Sequence, residues 1–417
     1  MTRRALLFSF TGYETKNAMN QRVFYTLNLA VFTSMLGMGI VIPFMPIYAK
    51  TLGASGITIG IFFASFPLAQ MLFMPTIGRL SDRHGRKAFI AVGLFLCSLL
   101  SLWYVYASNI VYLTIGRFLQ GAAVALIIPI ATAYVGDIAP PEKRGTMMGI
   151  FNLFLTGSIG IGPLAGGWLS DTYSMESSFY WMGALNLVAV VMVLIFLPNS
   201  QAAEHMARQP ISYRELLKRT GVKGLALFRM VNTIQMGLWF SFLPLLAVEV
   251  LQLNNTQIGW TIACYMLVSS LVQVPFGRMA DLFDKRLLII LGGSLGSVVF
   301  ATVFFAQSFL HLMLIAGITG AMGALAMPAL AALAAEEGSD GNMGAIMGVL
   351  NMAMSVGMML GPVLAGLFSD LSGLRPLFLF GAGAGLIGTL VFGWLTSESY
   401  APVLVAPKLV EEQTKAS

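Results

Sequence analysis

Charge is scarce in this chain. Only 10% of its 417 residues are Asp, Glu, Lys or Arg, whereas 57% are hydrophobic and the mean hydropathy is +0.81. A soluble domain rarely passes about half apolar residues, so a water-soluble globule is excluded. Cysteine is nearly missing as well. Cys97 and Cys264 both fall in apolar stretches, which excludes a disulfide framework and leaves two inert buried thiols. The three histidines, His84, His205 and His311, are scattered without metal-ligand spacing, so no metal site is expected. There is no G-x-x-x-x-G-K-[ST] loop for ATP hydrolysis. "GGSLG" at 292–296 fits G-x-S-x-G but lies in an apolar run, away from any strand–turn–helix elbow. Neither an enzyme nor a cofactor is expected. Period-two alternation is absent too, which excludes a membrane β-barrel.

What is present is a series of apolar runs near membrane-spanning length. Twelve are read, over 23–48, 57–77, 88–107, 110–136, 146–169, 177–197, 226–248, 257–276, 287–307, 310–334, 343–369 and 376–397. Backbone in lipid must satisfy its own hydrogen bonds, so each is a helix. The expected fold is all-α and polytopic. "MTRRALLFSFTGYETKN" holds an apolar run of about six residues, too short for a signal-peptide core, so the first span serves as the anchor.

The net charge of +6 carries topology rather than nucleic-acid binding, and no nucleic-acid partner is expected. All of the 24 lysines and arginines but three fall on the side of the N-terminus, the basic linker 208–229 included. Lys50 and Arg375 face the other side, and Arg117 lies inside span four, about eight residues from the outer end. Both termini are therefore placed in the cytoplasm, the lipid bilayer being a bacterial-type inner membrane.

A shift of 199 residues aligns the two halves without gaps. Gly78, Arg79 and Asp82 fall on Gly277, Arg278 and Asp281, and residues 145–171 share nine of 27 identities with 344–370. Six spans per half is an even number, so the halves run the same way and are related by an axis along the membrane normal. The expected organisation is a cytoplasmic segment 1–22, a six-helix bundle 23–197, a linker 198–225, a second bundle 226–397 and a tail 398–417. The linker is read either as carrying a short amphipathic helix through "SYRELLKR" or as a plain tether.

Three motifs make the chain resemble the major facilitator superfamily, and within it the twelve-span drug:proton antiporters, over about 20–397. "GRLSDRHGRK" (78–87) fits G-x-L-x-D-r-x-G-r-k through Gly78, Leu80, Asp82, Arg83, Gly85, Arg86 and Lys87. Leu113, Arg117, Gln120 and Gly121 fit the arginine motif of span four. Gly149, Gly162, Pro163, Gly166 and Gly167 fit the antiporter motif of span five, with Ser158 in place of one glycine and Gly357, Gly361 and Pro362 in the second-half copy. The resemblance implies an alternating-access secondary transporter, expected to be monomeric, that exports hydrophobic small molecules against protons. The alternative is a facilitator for a metabolite or ion complex without proton coupling. No acid lies inside an early span, where many drug antiporters keep one, so no proton carrier is assigned.

The aspartates in the two loops have a physical use. A carboxylate at a helix N-terminus gains about 0.3–1 kcal/mol, up to ~2 when partly buried. Asp82 is expected to meet the start of span eleven near Gly344, and Asp281 the start of span five near Gly145, latching the inner side when the outer side opens. Arg86 is expected to pair with Asp137 and brace Asp82. For Arg117 two readings stand, a brace between helices or a role in proton coupling or anion contact. The span-five glycines are read as close packing or as a hinge and seal between halves. Polar candidates for the substrate cavity are Asn28, Gln70, Asn152, Asn232, Gln235, Tyr265 and Gln273.

Overall fold

The computed structural model describes residues 3–140, 143–198, 213–338 and 342–397. Every regular element among them is helical. Twelve helices are long and apolar enough to cross a membrane: span one, Gln21–Thr51; two, Gly56–His84; three, Arg86–Val105; four, Ile110–Ile138; five, Gly145–Thr172; six, Met175–Phe196; seven, Thr220–Glu249; eight, Asn255–Leu282; nine, Lys285–Phe305; ten, Phe309–Glu337; eleven, Met343–Ser372; and twelve, Leu374–Leu395. The expected bounds fall short of these by several residues at many ends, because polar termini continue helical past the apolar core. Span one grows out of a helix that already begins at Arg3, so no break separates 3–22 from the first bundle. Of the expected linker 198–225, residues 198 and 213–225 lie among the described ones: 213–216 form one helical turn, Tyr213–Leu216, and from Thr220 the chain is already span seven, while the tail 398–417 lies outside the described residues.

The ends facing the 51–55 and 250–254 turns are called distal here, and those bearing 78–87 and 277–286 basic. Distal helix starts are set by side-chain caps that obey the repeat. Ser55 Oγ accepts from Thr58 N–H, and its mate Asn254 forms a capping box with Gln257. Asn109 Oδ1 accepts from Val111 and Tyr112, and its mate Ser308 from His311. Such caps satisfy amides that the helix itself cannot.

Packing repeats as faithfully. Span one lies against five and six, two against four, and three against four and six. Seven lies against eleven and twelve, eight against ten, and nine against ten and twelve. Across the halves the main contacts are two with eleven and five with eight, again a repeat-related pair. The hydrophobic core shows how the halves meet. At the distal end one cluster crosses between them, joining Phe44, Tyr48 and Phe62 to Trp239, Leu243 and Ile258. Toward the basic end it divides, into one cluster around Leu27, Ile90 and Val135 and another around Leu225, Leu288 and Ile346. The halves are fused at one end and parted at the other.

Candidate functional site

The distal closure is made by two carboxylates. Asp171, at the end of span five, accepts from the amides of Asn255 (3.1 Å) and Thr256 (2.8 Å) and from the Thr256 hydroxyl (2.6 Å) at the start of span eight. Its mate Asp370, at the end of span eleven, accepts from the amides of Gly56 (2.7 Å) and Ile57 (2.9 Å) at the start of span two. Both donor pairs sit in the first turn of a helix, where amides are unpaired and the dipole is positive. Lys50 and Glu249 add an ion pair between the halves at 3.7 Å. Close backbone approach completes the seal: a side chain at Gly60 would strike the backbone of Pro362, and one at the mate Gly259 that of Pro163.

The antiporter-motif residues divide by neighbour. Gly162 lies against Gly39 and Gly166 against Ile40 of span one, whereas Gly167 lies against Asn255 and Thr256 across the halves. In the second copy Gly361 faces Ile234 of span seven and Gly366 faces Gly56. Gly149 faces open space, and Ser158 is fully buried with its hydroxyl on the Leu155 carbonyl.

At the basic end the expected inter-half latch is not made. Asp82 is half exposed and bonds Arg86 at 3.3 Å; Arg86, almost fully buried, bonds Asp137 at 2.9 Å. Asp281 has no hydrogen bond or ion pair among the described residues, and side chains added at Gly78, Gly145, Gly277 or Gly344 would meet open space. The physical reason is that the core has parted there. The exposed Arg83 makes no ion pair among the described residues. Gly85 turns the chain between spans two and three at φ +88°, a conformation that suits glycine. The second copy replaces it with Asp284, at φ −60°, which caps span nine through the amides of Arg286 and Leu287. The loop bases have a local use: Lys87 Nζ donates to the Leu194 carbonyl of span six at 2.9 Å, and its mate Arg286 to Gly393 of span twelve. A cation satisfies and complements a helix C-terminus.

Between the seal and the parted end lies a cavity of about 210 Å³ bounded by both halves. Its walls include Met38, Phe66, Ile159, Met236, Phe240 and Met266, and its one charged lining residue is Arg117. Arg117 is buried, donates from Nη1 to Gln120 Oε1 at 2.8 Å and lies 4.8 Å from the Phe66 ring centroid. Tyr104 donates to the same Gln120 oxygen at 2.8 Å, while Nε of Arg117 has no partner among the described residues. Gly121 lets span four approach the Phe66 backbone. An arginine at mid-span costs about 2.5–3.5 kcal/mol to insert, so it must face protein or water.

None of the seven polar candidates lines this cavity. Asn28 is buried in the first half, donating to the Phe24 carbonyl at 2.7 Å. Gln70 is half-buried, Asn152 and Gln273 are exposed, and none of the three lines the cavity. Asn232, Gln235 and Tyr265 share a separate pocket of about 40 Å³ within the second half, beside Trp239 and Thr319.

One charge inside a span escapes the sequence reading. Arg229, taken there for the end of the basic linker, is the tenth residue of span seven and is half-buried. Its Nη1 and Nη2 lie 2.7 and 3.0 Å from the sulfurs of Met327 and Met354, with no carboxylate partner among the described residues.

The sequence pattern of the Major Facilitator Superfamily matches residues 27–254 and 225–415. An uncharacterised MFS-type transporter of Methanocaldococcus jannaschii is 29% identical over 366 residues, covering 86% of this chain and 94% of its own. The quinolone resistance protein NorA of Staphylococcus aureus is 25% identical over 377 residues, covering 89% and 96%. Among solved structures, a bacterial homolog of the human lysosomal transporter Spinster superposes with a TM-score of 0.77 at 14% identity, covering 91% of this chain and 97% of its own.

Proposed function

The chain belongs to the Major Facilitator Superfamily, and from that premise we propose that it exports hydrophobic small molecules by alternating access, coupled to protons. The observation that carries the reading is a core continuous at the distal end and divided at the basic end, around an apolar cavity shared by both halves. A binding site at the interface of two rocking repeats is what this mode of transport needs. By the positive-inside rule the basic end is cytoplasmic, which makes this state inward-facing in a bacterial inner membrane, with both termini inside. Residues 23–197 and 226–397 are the moving bundles of a monomer, with 1–22, 198–225 and 398–417 as cytoplasmic flanks and linker.

In this scheme Asp171 and Asp370 hold the outer side shut. Asp82, Asp281 and the Arg86–Asp137 pair take over when the basic end closes. Arg117 and Gln120 act in coupling or substrate contact. NorA is named for quinolone resistance, and that likeness supports drug export here.

A second reading, transport of a metabolite or ion complex without proton coupling, is favoured by one observation. Among the described residues no Asp or Glu stands in the middle of a span. Proteoliposome flux of a fluorescent quinolone under an imposed pH gradient separates the two. Export that rises with the gradient and falls when it is collapsed is expected. Flux indifferent to the gradient selects the second reading, and flux no faster than in empty vesicles sinks quinolone export.

A further inference from the structure

Two arginines stand well inside their spans, away from the ends, with no carboxylate partner among the described residues. Arg117 lines the central cavity, and Arg229 stands between that cavity and the basic end. Their placement is linked. Met236 of span seven lines the cavity, and Arg229 lies seven residues earlier, two turns along the same helix face and about 10 Å nearer the basic end. Met354, which touches Arg229, lies one turn before Met358, which lines the cavity. Arg229 is thus on the strip of span seven, opposite span eleven, that leads from the parted end into the cavity.

The partners of both guanidiniums are weak or few. Thioether sulfurs are poor acceptors, and a guanidinium carries five donors that match carboxylate, sulfonate or phosphate oxygens. At Arg117 one amide oxygen is shared with a tyrosine, and Nε is unmatched. Around them the wall is methionine and phenylalanine, which suits a flat apolar body. A volume of about 210 Å³ suits a body of one or two rings.

We infer that the transported substrates are lipophilic organic anions, received first at Arg229 and then seated with the anionic group on Arg117. The inference rests on the transport reading above and names its substrate class. Arg229 is a substrate-contacting residue in this scheme, and its thioether neighbours leave the guanidinium free to exchange one ligand for the next.

The test is calorimetric titration of the full chain in phosphatidylcholine nanodiscs, empty discs subtracted, with 1-naphthalenesulfonate and with 1-naphthyltrimethylammonium. The two probes share a ring system and differ in charge. The expected result is anion binding tighter by about tenfold or more, as charge-assisted hydrogen bonds would give. Arg229→Gln is expected to lower that preference severalfold, the remainder being held at Arg117, and a thermal unfolding midpoint close to that of the unaltered chain shows that the variant is folded. Arg229→Lys is expected to keep part of the preference. Equal affinity for the two probes, or unaltered anion binding in Arg229→Gln, would overturn the inference and leave Arg229 a helix brace. Loss of anion binding in phosphatidylglycerol discs, relieved by Arg229→Gln, would assign the position to lipid headgroups and also overturn it. Counterflow of the same probes in vesicles reads transport separately. Movement of the cation alone sinks the anion class and spares the transport reading, whereas movement of neither by protein that binds them counts against transport.

Discussion

The crossed aspartates at the distal end make a quantitative prediction. Asp171 and Asp370 together accept five hydrogen bonds from the first turns of spans eight and two. Replacing both with asparagine keeps the shape but removes the charge from two helix N-termini and one acceptor oxygen from each cluster. Both carboxylates are exposed, so water replaces part of what is lost, and about 1 kcal/mol per site is the appropriate scale. The sum of about 2 kcal/mol bears directly on the balance between closed and open distal ends, a shift of about thirtyfold. Ser108 and Gln307 are repeat mates, both exposed, in the distal turns between spans three and four and spans nine and ten. Spin labels there, in a background with Cys97→Ala and Cys264→Ala, read the distance between the halves by pulsed electron resonance. The unaltered chain should give one short distance. The double variant should add a longer one, and each single variant a smaller fraction of it. A distance distribution unchanged in the double variant would refute the claim that these carboxylates hold the distal end shut.

Three other outcomes follow from the same geometry. Asp137→Ala leaves the nearly buried Arg86 with only the half-exposed Asp82, so thermal unfolding should show a loss of about 3 kcal/mol, as for other broken buried pairs. Asp82→Asn should cost well under about 1 kcal/mol of stability, because that carboxylate is half exposed, yet lower transport by weakening the closed basic end; normal transport would remove Asp82 from gating. Gly60→Leu places a side chain against the Pro362 backbone and should abolish distal closure, seen as a permanently long distance between the same spin labels, while insertion into the membrane continues.

Much of this architecture is legible in the chain, because a helix in lipid is declared by its own residues: a long apolar run has no other fate. The repeat is legible for a related reason, since Ser55 and Asn254, or Asn109 and Ser308, do the same capping work at the same register. What the chain hides is which helix end stands opposite a given carboxylate. Asp171 and Asp370 close the best-conserved block of the internal repeat, so the signal for a paired function is present. Yet nothing in one dimension says that the partners are the starts of spans eight and two. The charge-rich loops at 78–87 and 277–286 draw attention to the other end, where Lys87 and Arg286 turn out to serve carbonyls within their own halves. Arg229 is hidden by averaging. It follows Arg214, Lys218, Arg219 and Lys223, and read as the last of a basic run it belongs to a linker. Only the helix starting at Thr220 moves it two and a half turns inward, where a solvated charge becomes an unpaired one between two methionines. The hidden partners of the aspartates and the hidden depth of Arg229 have one origin. A charge near a span boundary changes meaning over a few residues of depth, and depth is fixed by which turns the helices bury together rather than by the run of charges itself.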